Sequence, residues 1–104
     1  MTKYYSHWHM NPNLIPTNPE ERTKLWLGML ERVKADMKSG DILDWGITAD
    51  MSAGYTLRET DEKGLLVDVS KWTPFIIADS KPVLTPDQAL ESLKRVVAAA
   101  KNSR

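Results

Sequence analysis

The chain contains no cysteine, and this absence excludes a disulfide scaffold, thiolate metal sites and catalysis by a thiol. It carries no net charge, because 14 basic and 14 acidic side chains cancel, so no overall field attracts it to nucleic acid or to an anionic membrane. No apolar run approaches the roughly 20 residues of a membrane span, and the first residues lack the apolar core of a signal peptide. These absences predict a cytoplasmic protein with neither a nucleic-acid partner nor a membrane partner.

What is present is typical of a single globular domain. The chain has 104 residues, of which 41% are hydrophobic and 27% are charged, so we expect one domain over residues 1–104 with a core of its own. Four of these residues are tryptophans, and each lies in a different predicted element: Trp8, Trp26, Trp45 and Trp72. This distribution favours one shared core over a local aromatic patch.

Hydrophobic periodicity and helix-capping residues divide the chain into strands and helices. Alternating or aromatic-rich runs predict strands at Tyr4–Met10, Ile42–Ala49, Ala53–Glu59 and Phe75–Val83. Apolar residues at three- and four-residue spacing predict helices over Pro19–Lys38, from about Asp61 to Trp72, and from Pro86 onward. Asn18 before Pro19, and Thr85 before Pro86, are typical residues at the start of a helix.

The order of these elements predicts an α+β fold. Right-handed crossovers in the two strand–helix–strand halves give an antiparallel sheet with strand order 4-1-3-2 and the helices on one face. This is the ferredoxin-like βαββαβ arrangement with an additional C-terminal helix. The first strand is central in it, so the segment from His7 to His9 is expected in the middle of the sheet.

The sheet face without helices is too apolar to remain in water, since it is expected to bear Tyr5, Ile42 and Phe75. Two such faces could cover one another in a symmetric homodimer. In length, in element order and in the strand that ends near Pro82-Val83-Leu84 before a helix, the chain resembles the dimeric α/β-barrel superfamily. That resemblance implies a homodimer with a ligand pocket between sheet and helices. Members include small isomerases, cofactor-free monooxygenases and haem-degrading enzymes, and no catalytic residue can be carried over by motif.

His7 and His9 are the candidate proton carriers, because they are the two histidines of the chain and imidazole titrates near neutral pH. Strand spacing puts them on one face of the sheet, about 7 Å apart. Asp44 could act as a base if it were buried. A metal would need a third ligand, from Asp44, Glu59 or Asp79, and we predict neither a metal nor a cofactor. Histidines that form hydrogen bonds at a dimer interface are the favoured alternative.

Three aromatic residues are candidates for binding an apolar small molecule. Trp8, Trp45 and Tyr55 could line a flat pocket between sheet and helix together with Trp26, although filling the core is the favoured interpretation. Arg58, expected on the polar side of its strand, could bind the carboxylate of a ligand. Its alternative partner is Asp44, in an ion pair.

Two functions follow from these candidates. The first, which we favour, is a homodimeric small-molecule-binding or structural module without catalysis. The second is a cofactor-free isomerase or monooxygenase that acts on an apolar small molecule, with His7 or His9 as proton carrier. A cavity of roughly a few hundred cubic ångströms beside Trp45 and Tyr55, reached by a histidine or by Asp44, would favour the enzyme.

Overall fold

A computed structural model describes residues 1–102 and contains the strands and helices in the predicted order. The strands are β1 (Thr2–Met10), β2 (Asp44–Ile47), β3 (Ala53–Thr60) and β4 (Ile76–Val83). The helices are α1 (Pro19–Ser39), α2 (Glu62–Ser70) and α3 (Pro86–Asn102), and a 3-10 turn, Pro12–Leu14, precedes α1. Most boundaries lie within two residues of the prediction, whereas β2 is only four residues long.

The four strands form one antiparallel sheet in the order β2-β3-β1-β4. This confirms both the predicted strand order and the ferredoxin-like α+β fold with an added C-terminal helix. β1 is central, and His7 lies opposite Tyr55 of β3 and Asp79 of β4.

Side chains on β1 alternate between two environments. Tyr4, Ser6, Trp8 and Met10 are buried beneath α1 and α2, while Tyr5, His7 and His9 are exposed on the opposite side. We call that opposite side the open face, and its members on the other strands include Tyr55, Leu57, Ile77 and Asp79. On the covered side, Trp8 packs with the partly buried Trp26, Trp45 and Trp72, which confirms that the tryptophans share one core.

The predicted helix ends are confirmed by local hydrogen bonds. The Asn18 side chain accepts bonds from the backbone N–H groups of Glu20 and Glu21, at 2.9 and 3.2 Å. Gly40 ends α1 in the left-handed conformation, with φ at 87°. At the start of α3, the Thr85 hydroxyl accepts from the Gln88 N–H while the Gln88 side chain accepts from the Thr85 N–H. The short-range chemistry of these residues is therefore enough to start and stop helices.

Two predicted burial patterns are wrong. Ile42 does not lie on the open face: it precedes β2, and it is buried with its backbone N–H bonded to the Asp36 carbonyl at the end of α1. The sequence also predicts Leu66 on the apolar side of α2, together with Leu65, Val69 and Trp72, but Leu66 is 70% exposed. Asp68 occupies the inward position instead, because it pairs with Arg58 from the sheet.

The C-terminal helix α3 leaves its apolar stripe in water. Leu90, Leu93, Val96 and Val97 are each more than half exposed, and no residue of α3 up to Asn102 is buried. The molecule is correspondingly long, with extents of 65, 27 and 25 Å. The stripe that the sequence predicts is present, but nothing within the described chain covers it.

Candidate functional site

A small cavity lies between the sheet and helices α1 and α2. Its floor consists of side chains from the central strands, including Ser6, Trp8, Thr56 and Arg58, all of them buried. Its walls are apolar and partly exposed, and they include Met29 of α1, Val69 of α2, Trp45 and Trp72. The cavity volume is about 40 Å³. A drug-sized ligand needs roughly 300 Å³ or more, so this space suits only a small group.

Arg58 is the charged residue of the cavity floor. The prediction that it lies on the polar side of its strand is wrong, because β3 pairs with β1 in a register that places Gly54, Thr56 and Arg58 beneath the helices. Its partner is Asp68 of α2, with 3.7 Å between Arg58 Nη1 and Asp68 Oδ2, and not Asp44. That separation is longer than a hydrogen bond, so the guanidinium is neutralised in part without being fully bonded.

Trp8, another residue of the cavity floor, carries a hydrogen-bond donor that has no partner within residues 1–102. The side chain is 4% exposed, and the donor is its indole Nε1. The ring stacks on Trp45 at a centroid separation of 5.7 Å, and it passes directly over Gly54, where a side chain would overlap with it. A glycine within a strand indicates either a bulge or the close approach of a side chain, and at Gly54 the structure shows the close side chain.

Asp44 and Tyr55 meet on the open face, on the side of the sheet opposite the cavity. The Tyr55 hydroxyl donates a hydrogen bond of 3.1 Å to Asp44 Oδ2, and the Tyr55 ring stacks on Tyr5 at 6.1 Å. The bond to the Asp44 carboxylate raises the pKa of the Tyr55 hydroxyl above its ordinary value of 10.0. The prediction that Tyr55 shares a pocket with Trp8 and Trp45 is wrong, because residues paired across antiparallel strands share a face and Tyr55 pairs with His7.

His7 and His9 are both exposed on the open face, as strand spacing predicts. His7 lines a shallow depression of about 320 Å³ with Tyr5, Gly46 and Tyr55, whereas neither histidine lines the cavity beside Trp45. Within residues 1–102, no group of three or more histidine, aspartate or glutamate side chains is placed to hold a metal ion. The candidate catalytic residues and the tryptophan-lined cavity therefore lie on opposite sides of the sheet.

Asp68 and Trp72 are site residues that the sequence reasoning did not select. Leu65, Asp68, Val69 and Trp72 have the three- and four-residue spacing of one helix face. An acidic residue on an apolar helix face indicates a buried partner, and that signal was available in the sequence. Ser6 and Thr56 carried no such signal, because a small hydroxyl residue fits either face of a strand.

Comparisons with known proteins found no family model, curated protein or solved structure that matches this chain. Within residues 1–102, no helix is long and apolar enough to cross a membrane. The arguments for function consequently rest on the geometry of the chain itself.

Proposed function

We propose that the protein is a homodimeric structural module of the dimeric α/β-barrel type, located in the cytoplasm. The observation that carries this proposal is the apolar surface that one copy leaves uncovered on α3 and around the open face. The proposed occupant of that surface is a second copy of the same chain.

The uncovered area is sufficient for a stable dimer. The large apolar side chains on or beside these two surfaces are between 41% and 63% exposed: Tyr5, Phe75, Ile77, Leu84, Leu90, Leu93, Val96 and Val97. At about 100 Å² each the two surfaces together amount to roughly 800 Å², so a second copy that covers both would bury the area that each partner contributes to an interface of standard size. A monomer rarely leaves an apolar patch of more than a few hundred square ångströms in water. A two-fold axis lets the same surface cover itself on both copies.

The size and position of the cavity favour a module without catalysis. Its volume of about 40 Å³ is too small for an apolar substrate, and no histidine and no Asp44 lines it. An isomerase or monooxygenase that uses His7 would have to work in the shallow depression of the open face. In one copy such a depression does not exclude water, which is what protects a reactive intermediate, and in the proposed dimer the second copy itself would occupy the depression in place of a substrate.

The molar mass in solution tests the proposal. Light scattering of the full chain is expected to give twice the 11.8 kDa of one chain. Leu93→Glu places a carboxylate in the stripe of α3 and is expected to weaken the dimer at least tenfold, because it removes about 2 kcal/mol of apolar burial per copy. Ile77→Lys tests the open face in the same way.

Ala98→Glu is the matched control, since Ala98 lies on the side of α3 away from Leu93 and is already exposed. It is expected to leave the dimer intact. A wild-type chain that stays monomeric at high concentration would refute the proposal. A Leu93→Glu chain as dimeric as the wild type would remove α3 from the interface.

A further inference from the structure

The cavity floor combines a buried cation and a buried free donor. Arg58 is 6% exposed and Trp8 is 4% exposed, and both line the same cavity. Within residues 1–102, Trp8 Nε1 has no acceptor, and the Arg58 guanidinium has one ion-pair contact, at 3.7 Å. Buried polar groups normally have hydrogen-bond partners. A buried indole N–H without one and a guanidinium with a single long contact, on two residues that line the same small cavity, therefore point to an acceptor that this chain does not itself provide.

The charges around the cavity indicate an anion. Asp68 lies between two cations, with Lys71 Nζ at 3.5 Å from Oδ1 and Arg58 Nη1 at 3.7 Å from Oδ2. Arg32 adds a third positive charge beside one of the walls, since its guanidinium carbon lies 5.1 Å from the centre of the Trp72 ring. One carboxylate among these cations leaves an excess of positive charge, which a ligand with a single negative charge would reduce.

The dimensions of the cavity select the kind of anion. Its volume of about 40 Å³ is roughly three times the ~10–15 Å³ of such space that one buried water molecule needs. That space suits one small planar head group. A guanidinium binds a carboxylate through two parallel N–H donors, and an indole N–H can add a third bond. The partly exposed apolar walls, Met29, Trp45 and Trp72, can contact a short hydrocarbon body.

We infer that this cavity binds the carboxylate group of a small organic acid, held by Arg58 and Trp8, with its short apolar body against Trp45 and Trp72. Asp68 competes with the ligand for Arg58, because both offer carboxylate oxygens to the same guanidinium. The cavity is formed by one chain, so binding does not depend on the proposed dimer.

The test follows the indole N–H resonances of the ¹⁵N-labelled full chain during titration with sodium acetate, propionate and butyrate. Acetamide, propionamide and butyramide are the neutral controls of matched shape, and sodium chloride controls for ionic strength. We expect a saturable shift of the Trp8 resonance with the acids and none with the amides. The Trp26 indole N–H is also buried without a partner in residues 1–102, but Trp26 does not line the cavity, so its resonance is the internal control and should not move.

Three variants establish which residues bind the acid. Arg58→Met is expected to abolish the saturable shift, whereas Arg22→Met, which alters an arginine stacked on Trp26 outside the cavity, should leave it unchanged. Asp68→Asn removes the competing carboxylate and should tighten acid binding several-fold. If Arg58→Met does not fold, the acid affinity of Asp68→Asn distinguishes a binding site from a purely structural ion pair. A structural ion pair predicts no gain in acid affinity when Asp68 is replaced.

The inference is overturned if acids and amides shift the Trp8 resonance equally, or if no shift saturates, which would mean that the cavity holds only water. It is also overturned if Asp68→Asn binds acids no more tightly than the wild type. Leu93→Glu is expected to bind acids as the wild type does, and this separates failure of the site from failure of the dimer.

Discussion

Replacement of Gly54 by alanine is expected to destabilise the fold strongly. A methyl group at this position would overlap with the Gly46 carbonyl oxygen of the neighbouring strand and with the Trp8 ring. The carbonyl belongs to the sheet backbone, and the Trp8 ring is held by its stacking on Trp45, so neither can move away easily. Overpacking of a core typically lowers the free energy of unfolding by about 1–3 kcal/mol. Because both neighbours of Gly54 are held in place, we expect a loss near the upper end of that range.

Gly28→Ala is the matched control. It makes the same change in the interior of α1, where an added methyl group would meet nothing within 4 Å. Alanine is better than glycine in a helix by about 1 kcal/mol, so this variant should be more stable than the wild type.

Urea denaturation monitored by circular dichroism measures both changes, at one fixed protein concentration because self-association adds to apparent stability. We expect Gly54→Ala to lose about 2–3 kcal/mol and Gly28→Ala to gain up to about 1 kcal/mol. At 4–8 °C per kcal/mol for a domain of this size, the loss lowers Tm by roughly 10 °C or more. A Gly54→Ala chain as stable as the wild type would refute the close packing of Trp8 over β3.

Two further predictions concern local hydrogen bonds. Asn18→Ala removes the acceptor for two N–H groups at the start of α1 and should cost about 1 kcal/mol in the same denaturation assay; a loss below experimental error would contradict the cap. In the β2–β3 turn, bonds from the Thr48 and Ser52 hydroxyls and the Ser52 N–H lower the pKa of Asp50 from 3.8 to about 2. The stabilisation by ionised Asp50 is therefore complete above pH 3.8 and is lost as the pH falls through about 2. The chemical shift of the Ser52 amide should accordingly change with a midpoint near pH 2. A midpoint near pH 3.8 would contradict the turn geometry.

The parts of the fold that the sequence predicts correctly depend on short-range chemistry. Asn18 and Thr85 start helices through bonds to residues two or three positions away, and these bonds need no tertiary context. The strand order follows from the handedness of crossovers, which is a general property of polypeptides. The alternation of β1 was also sufficient to place both histidines on one face.

The parts that were predicted wrongly depend on partners distant in the sequence or on a choice between two similar faces. On β3, one face carries Tyr55 and Leu57 and the other carries Gly54, Thr56 and Arg58, so hydrophobicity alone favours burial of the first. The pairing with β1 reverses that choice, because Gly54 makes room for the Trp8 ring and Asp68 of α2 partly neutralises Arg58. For α3, periodicity identifies which side is apolar but says nothing about what covers it.

The sheet separates the cavity beneath the helices from the histidines on the open face. This separation determines which of the two sites depends on a second copy of the chain. The covered side holds a buried cation and a free indole donor, complete within one chain, so its ligand binding can be measured on a monomer. The open face holds His7, Tyr55 and Asp44, and their surroundings in one copy are largely solvent. If a second copy covers that face as proposed, Asp79 and Tyr55, the strand partners of His7, become enclosed with it, and the buried imidazole then needs a hydrogen-bond partner. In the proposed dimer, any chemistry of His7 would therefore depend on the second copy, whereas the inferred acid binding at Arg58 would need only one chain.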